Sequence, residues 1–188
     1  VLFAAATATA QSQPESPSPF WVRSTEDFDS PRAKARAELI KKQKAVEVEM
    51  RKIRHKYLGA VRVTSIRQEG IAKLLAFSDP INYPALIEIT KAEGDDVRGA
   101  LVEFFANEQA LDRIEATSTA LAWMAVNDTA PTMRADAAAK LLERVGTNGF
   151  KGVPSPGVRE VVHRALQSGQ EHQMEAAADL AQTLHMYE

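Results

Sequence analysis

Apolar residues in this chain recur at helical intervals, in short stretches separated by Gly, Pro, Asn and Asp. The clearest unit runs from Pro80 to Ala106. Ile81, Leu86, Ile87 and Ile89 cover one face of a helix opened by Asp79-Pro80, and Val97, Leu101, Phe104 and Phe105 cover one face of the next. The turn between them is Glu93-Gly94-Asp95. Gly94 suits the end of the first helix, and Asp95 or Asp96 can accept hydrogen bonds from the free N–H groups opening the second. Neither helix can bury its stripe alone, so the pattern predicts stacked neighbours.

Weaker copies lie on both sides. Ala60 to Phe77 carries Val63, Ile66, Ile71, Leu74 and Leu75 in helical spacing, with Gly70 as its weak point. After Asn107, Leu111, Ile114, Thr117, Leu121, Met124 and Val126 form the next stripe. Pro131 opens another, running through Ala135, Ala138, Leu141, Leu142 and Val145 to Gly146. Thr147 to Gly157 is too rich in Gly and Pro to stay helical and predicts a surface loop, with Phe150 turned inward. Two last helices follow, Val158–Leu166 and Gln170–Leu184, the latter with Met174, Ala177, Ala178, Ala181 and Leu184 inward.

Upstream of this body, Ser30-Pro31 starts an uninterrupted helical pattern that reaches Gly59. Leu39, Val46, Met50, Ile53 and Tyr57 make a narrow strip along it, enough to pair with one other helix. Charge separates this arm from the rest. Residues 31–60 carry ten Lys and Arg against three Glu, whereas residues 61–188 carry twelve bases against eighteen acids, within a net charge of -2. Lys41, Lys42, Arg51 and Arg54 are its candidate contacts for a partner or an anionic surface. Either the arm is a solvated helix that docks on the body or on its twin in a homodimer, or it meets phosphate or anionic lipid heads. Tyr57 is its one aromatic residue, which disfavours single-stranded nucleic acid.

Residues 1–10 (VLFAAATATA) resemble the end of a secretory signal cleaved before Gln11, with the positive n-region missing from a chain that opens on Val. That reading predicts a periplasmic or secreted protein; a plain Ala/Thr-rich N-terminus would leave it cytoplasmic. Residues 11–29 read as a Pro/Ser-rich linker, in which Phe20-Trp21 either docks on the body or anchors a partner. No apolar run is long enough to cross a bilayer. The absence of cysteine removes disulfides, thiolate metal sites and cysteine nucleophiles together.

The segments Asp96-Val97-Arg98, Thr132-Met133-Arg134 and His172-Gln173-Met174 fall at the same place in successive second helices, and Arg67 precedes Arg98 by one shorter unit. Gly70, Leu74, Asp79-Pro80, Ala85-Leu86, Asp95-Asp96-Val97-Arg98 and Ala100 follow a pattern that resembles HEAT repeats in their short, HEAT-like (PBS-lyase-type) form. The match is good from Arg67 to Ala106 and looser in the last pair, where no Arg follows the apolar position. The resemblance implies an all-α solenoid of about four antiparallel helix pairs (residues 60–188) preceded by the long basic helix (30–59). It also implies a ladder of Asp and Arg between repeats, here Asp95 or Asp96, Arg98 and Arg134, and binding through the second helices, where Arg98, Glu103 and Arg134 are the candidate partner contacts.

Enzymatic alternatives find little purchase. No His-Glu dipeptide occurs, which sets aside the di-iron hydroxylases of this fold. Glu160-x-x-His163 and His172-x-x-Glu175 are the helical Glu/His spacings of note, and surface histidines explain them more simply than a metal site. Gly149-Phe150-Lys151-Gly152 matches a nucleic-acid clamp in letters alone, since that clamp belongs to an α/β domain. Trp123 with Asp128 is the nearest approach to a base-excision pair, but the acidic body disfavours DNA, and Trp123 reads as core. A bilin-type lyase on this fold would need a pocket that nothing in the sequence signals. The expectation is a non-enzymatic module that binds another protein, without cofactor or metal, and with polyanion or membrane-surface binding through residues 32–56 as the alternative.

Overall fold

The computed structural model of the protein describes residues 31–59, 62–147 and 154–186, and the regular structure among them is helical throughout. The expectations placed on residues 1–29 and on Phe150 and the clamp-like Gly149–Gly152 segment lie outside the described residues. The chain divides into two compact units, residues 1–41 and 42–188. In the first, the described part is the start of helix α1 (Pro31–Tyr57), where Leu39 and Ile40 are exposed. The second holds the remainder of α1, then α2 (Thr64–Leu75), α3 (Tyr83–Thr90), α4 (Asp95–Asn107), α5 (Ile114–Asn127), α6 (Pro131–Thr147), α7 (Pro156–Leu166) and α8 (Glu171–Thr183). Among the described residues no helix is long and apolar enough to cross a membrane.

Within the second unit, the C-terminal half of α1 contributes to the core. Met50 is fully buried, and Val46 and Ile53 pack beside it in the core. Burying a side chain of that size contributes roughly 2 kcal/mol. Arg54 donates from Nε to Glu93 in the turn before α4 at 2.5 Å. Gly70 in α2 is buried because Tyr57, the last residue of α1, lies where its Cβ would be. The absent side chain thus permits a close approach of two helices, at the usual cost in helix propensity.

Helix α3 starts later than the Asp79-Pro80 signal suggests. Pro80–Asn82 forms a 3-10 turn, with the Asp79 carboxylate accepting from the Ile81 N–H at 3.0 Å, and the α-helix begins at Tyr83 with Pro84 in its first turn. Gly94 occupies the N-cap of α4. Asp95 and Asp96 sit inside its first turn rather than capping it, where the helix dipole favours negative charge. Tyr83 meets Phe104 and Phe105 edge-on in an aromatic cluster joining α3 to α4, with the Tyr83 and Phe105 centroids 4.9 Å apart.

Helix α5 is the central element of the second unit. Ile114, Leu121, Met124 and Val126 are buried, and so are Thr117, Ser118, Ala120, Ala122 and Ala125. A helix buried on so much of its circumference must be surrounded. It packs against α3, α4, α6, α7 and α8, while α4 also packs on α2 and α6, and α8 on α6 and α7. Small residues make the crowding feasible: Gly157 of α7 lies against Thr119 of α5 with no room for a Cβ.

Several expected core positions are exposed instead. Val63, Ile66 and Ile81 lie outward, Val63 because it precedes the first turn of α2 and Ile81 because it belongs to the 3-10 turn. Leu111 is 90% exposed, since α5 begins only at Ile114. In α6 the buried apolar positions are Ala137 and Leu141 rather than Ala135, and in α8 Leu180 is buried while Met174 and Ala178 are exposed. Helix α7 starts at Pro156, two residues early, because Ser155 accepts from the Val158 N–H at 3.4 Å and Pro156 supplies a first-turn φ.

Candidate functional site

Three arginines occupy the same position in three helices. Arg67, Arg98 and Arg134 are each the fourth residue of α2, α4 and α6. Arg67 reaches forward to Asp96, donating from Nε at 2.8 Å and from Nη2 at 2.7 Å, in a fork that matches the carboxylate. Its Nη1 donates to the Leu58 carbonyl at 2.6 Å. Through the hydrogen bond, Arg67 holds the Asp96 carboxyl below the usual carboxylate range, and its own pKa is raised in return.

Arg98 repeats the reach one unit further on. Its Nη1 donates to the Asp128 carboxylate and, at 3.1 Å, to the Thr129 hydroxyl, while Nη2 donates to Asp95 at 2.6 Å. The partners lie 29 residues apart in the first pair and 30 in the second. Their settings differ. The Asp96 side chain is half exposed, whereas the Arg98 and Asp128 side chains are 8% and 5% exposed. Asp128 also accepts from the Ala130 N–H at 2.8 Å, so one carboxylate shapes the α5–α6 turn and receives the arginine of α4. Arg134 has no such forward carboxylate among the described residues. It folds back on its own turn, donating to the Asp128 carbonyl at 2.9 Å and more weakly to that of Thr129.

The other candidates for partner contact are dispersed. Glu103 is exposed on α4 and paired at 2.9 Å with Lys140 of α6, whose hydrogen bond lowers its pKa. Lys41 and Lys42 are exposed, and Arg51 lies 3.7 Å from Glu47 on the outer face of α1. Arg54 is engaged with Glu93. Arg98, considered for both the ladder and a partner surface, is buried, with both terminal nitrogens bonded inside the protein and its Nε buried without a hydrogen-bond partner.

Arg144 of α6 escaped the sequence reading. It is 4% exposed and donates to the Thr117 hydroxyl, to the Ala106 carbonyl at 2.9 Å and to the Glu108 carbonyl at 2.5 Å. It thereby satisfies carbonyls at the C-terminal end of α4, where helix carbonyls lack intrahelical partners. Burial pushes its pKa down, opposed by the Glu108 charge. The signal in the sequence was an arginine inside the Leu141-Leu142-Val145 stripe.

Two open grooves accompany these elements. One, of about 320 Å³, is lined by Arg134, Ala135, Ala138, His172, Glu175 and Asp179 on α6 and α8, among others. The other, of about 560 Å³, runs between α1 and α2. Among the described residues no group of three or more His, Asp or Glu could hold a metal ion. Glu160 pairs with Arg164 at 2.6 Å, and His163 hydrogen-bonds Gln167 at 3.0 Å. Trp123 is half-buried against the core. Comparison with protein-family models, with curated proteins and with solved structures finds no match to this chain.

Proposed function

We propose that the protein is a non-enzymatic binding module, built as a HEAT-like stack of helix pairs, that presents the outward face of its second helices to another protein. The carrying observation is the repeated rung, Arg67 to Asp96 and Arg98 to Asp128, from the fourth residue of one second helix to the turn opening the next. A repeated device between neighbours is what a serial stack requires, because each unit is held in register by the adjacent one. The packing order supports the same arrangement, with α2 on α4, α4 on α6 and α6 on α8. The outward face of these helices carries charge of both signs, including exposed Glu103 and Glu175 and half-buried Lys140, and suits a polar protein surface.

The test is cross-linking of the intact chain in an extract of its native host. A protein partner should map to α4, α6 and α8. The variant Glu103→Lys with Glu175→Lys should lose it with only the small fall in melting temperature that breaking the surface Glu103–Lys140 pair entails. A partner that maps elsewhere, or capture indifferent to the reversals, would overturn the reading.

A second reading rests on a separate observation. Lys41, Lys42, Lys44, Arg51, Lys52 and Lys56 of α1 are all exposed, and cations so arranged attract polyanions or anionic lipid heads. Retention on heparin at low salt, lost on charge reversal at Lys42, Lys44 and Arg51, would favour it; absence of retention would remove it.

A further inference from the structure

The groove between α1 and α2 lies apart from the α4–α8 face, and Lys52 and Lys56 of its rim belong also to the basic surface of α1. Its α1 wall is Glu49, Lys52, Ile53 and Lys56, spaced so that they share one side of the helix, and Lys73, Ala76 and Phe77 of α2 and beyond form the other wall, with Tyr57 between. The floor is apolar: Ile53, Tyr57 and Phe77 are half-buried and continuous with the core or its edge. The rim is cationic. Lys56 Nζ lies 5.0 Å and Lys73 Nζ 5.4 Å from the centroid of the Tyr57 ring, so two ammonium groups converge on one aromatic side chain. Lys52 is paired with Glu49 at 3.3 Å and Lys73 with Glu69 at 3.3 Å, both exposed pairs that a better acceptor can displace at little cost.

We propose that this groove is a docking site for an acidic amphipathic helix of a partner protein. Charge complementarity selects the occupant: the lysines at the rim outnumber the single carboxylate, Glu49, that lines it. The floor selects a helix with apolar anchors over a bare polyanion, because a headgroup or a sugar-phosphate backbone would leave Ile53, Ala76 and Phe77 without a complement. Two helical walls forming a trough take a third helix through residues at i, i+3, i+4 and i+7. The site goes beyond the α4–α8 face and stands or falls independently of it.

The test uses the full chain and a display library of random peptides about four helical turns long. Enriched peptides should be acidic, with Leu or Phe at i and i+4. Their affinity should fall about tenfold or more in the variant Lys56→Glu with Lys73→Glu, and should also fall in Phe77→Ser. Both lysines are exposed, so the reversal should lower the melting temperature only slightly, through loss of the Glu69 pair and the two contacts with the Tyr57 ring. The variant Glu103→Lys should bind the same peptides as wild type, which separates this site from the other face. Neutral or basic enriched peptides, acidic peptides indifferent to the reversal, no enrichment over an unrelated protein, or lysine-dependent binding of heparin and anionic vesicles alone would each overturn the proposal.

Discussion

Arg98 in α4 donates to Asp128 at the end of α5, and both side chains are more than nine-tenths buried. A pair so placed is not a large source of net stability, since removing two charges from water offsets most of their attraction. Its consequence is positional. An arginine left without its carboxylate has nowhere in the core to go, so the α5–α6 turn is held at one distance from α4. The second carboxylate on Arg98, Asp95, is exposed and cannot replace Asp128.

Asp128→Ala should therefore destabilise the protein by about 3–5 kcal/mol, the range for stranding a buried charge. Asp128→Asn keeps an acceptor for the Ala130 N–H and should lose less. Arg67→Ala removes a pair whose carboxylate is half exposed, plus one bond to the Leu58 carbonyl, and should cost about 1–2 kcal/mol. Urea denaturation of the three variants measures the order. Equal losses for Arg67→Ala and Asp128→Ala would contradict the assigned burial.

The existence and approximate bounds of most helices were legible from apolar spacing and from Gly and Pro. The rungs were partly legible: the period placed Arg67, Arg98 and Arg134 in register, and the resemblance to HEAT-like repeats implied Asp95 or Asp96 as an acceptor. Asp128 was noticed only beside Trp123, since a carboxylate in a turn has many ordinary uses and its partner lies thirty residues earlier. Arg144 was missed for a different reason: its main acceptors are backbone carbonyls, which no side-chain pattern marks. Starts of helices were misplaced where a short polar side chain, as at Ser155 or Asp79, shifted the first turn by a few residues.

The glycines separate local propensity from packing. Gly70 and Gly157 lack space for a Cβ, against Tyr57 and Thr119 respectively, whereas Gly99 in α4 has open space. Gly99→Ala should stabilise by roughly 0.5–1 kcal/mol through propensity. Gly70→Ala and Gly157→Ala should instead lose about 1–3 kcal/mol, because displaced neighbours outweigh that gain. Adding Thr119→Ala to Gly157→Ala should restore part of the loss. The melting temperatures of the four variants decide the matter, and stabilisation by Gly70→Ala would show that α1 does not approach α2 as described.

Acid should weaken the fold through named carboxylates. Asp96 is held below the usual range by Arg67, Glu103 by Lys140, and Glu108 by the Ala110 N–H. A carboxyl whose folded pKa is depressed contributes stability that is present above its unfolded value and is lost as pH falls through the folded one. Stability should thus be level near neutrality and decline below roughly pH 4. Asp96→Asn removes one of these contributions, so its urea midpoint should fall less steeply below about pH 4 than that of the wild type. Parallel curves would remove Asp96 from the account.

Arg144 offers the last test, because its role is to satisfy carbonyls rather than to pair with a charge. Arg144→Met keeps much of the side chain's apolar length but strands the Ala106 and Glu108 carbonyls and the Thr117 hydroxyl. The expected loss is about 2–4 kcal/mol, with each buried group left unmade contributing a share. Arg144→Lys should recover only part, since an ammonium cannot span acceptors that a planar guanidinium bridges. Amide hydrogen exchange adds a readout that simple loss of core volume would not reproduce. Protection should fall first at the C-terminal turn of α4 and the start of α5, while the N-terminal turn of α4, held by Arg98 and Arg67, keeps its own. Uniform loss of protection along α4 would mean that Arg144 supports the core generally and not the end of that helix.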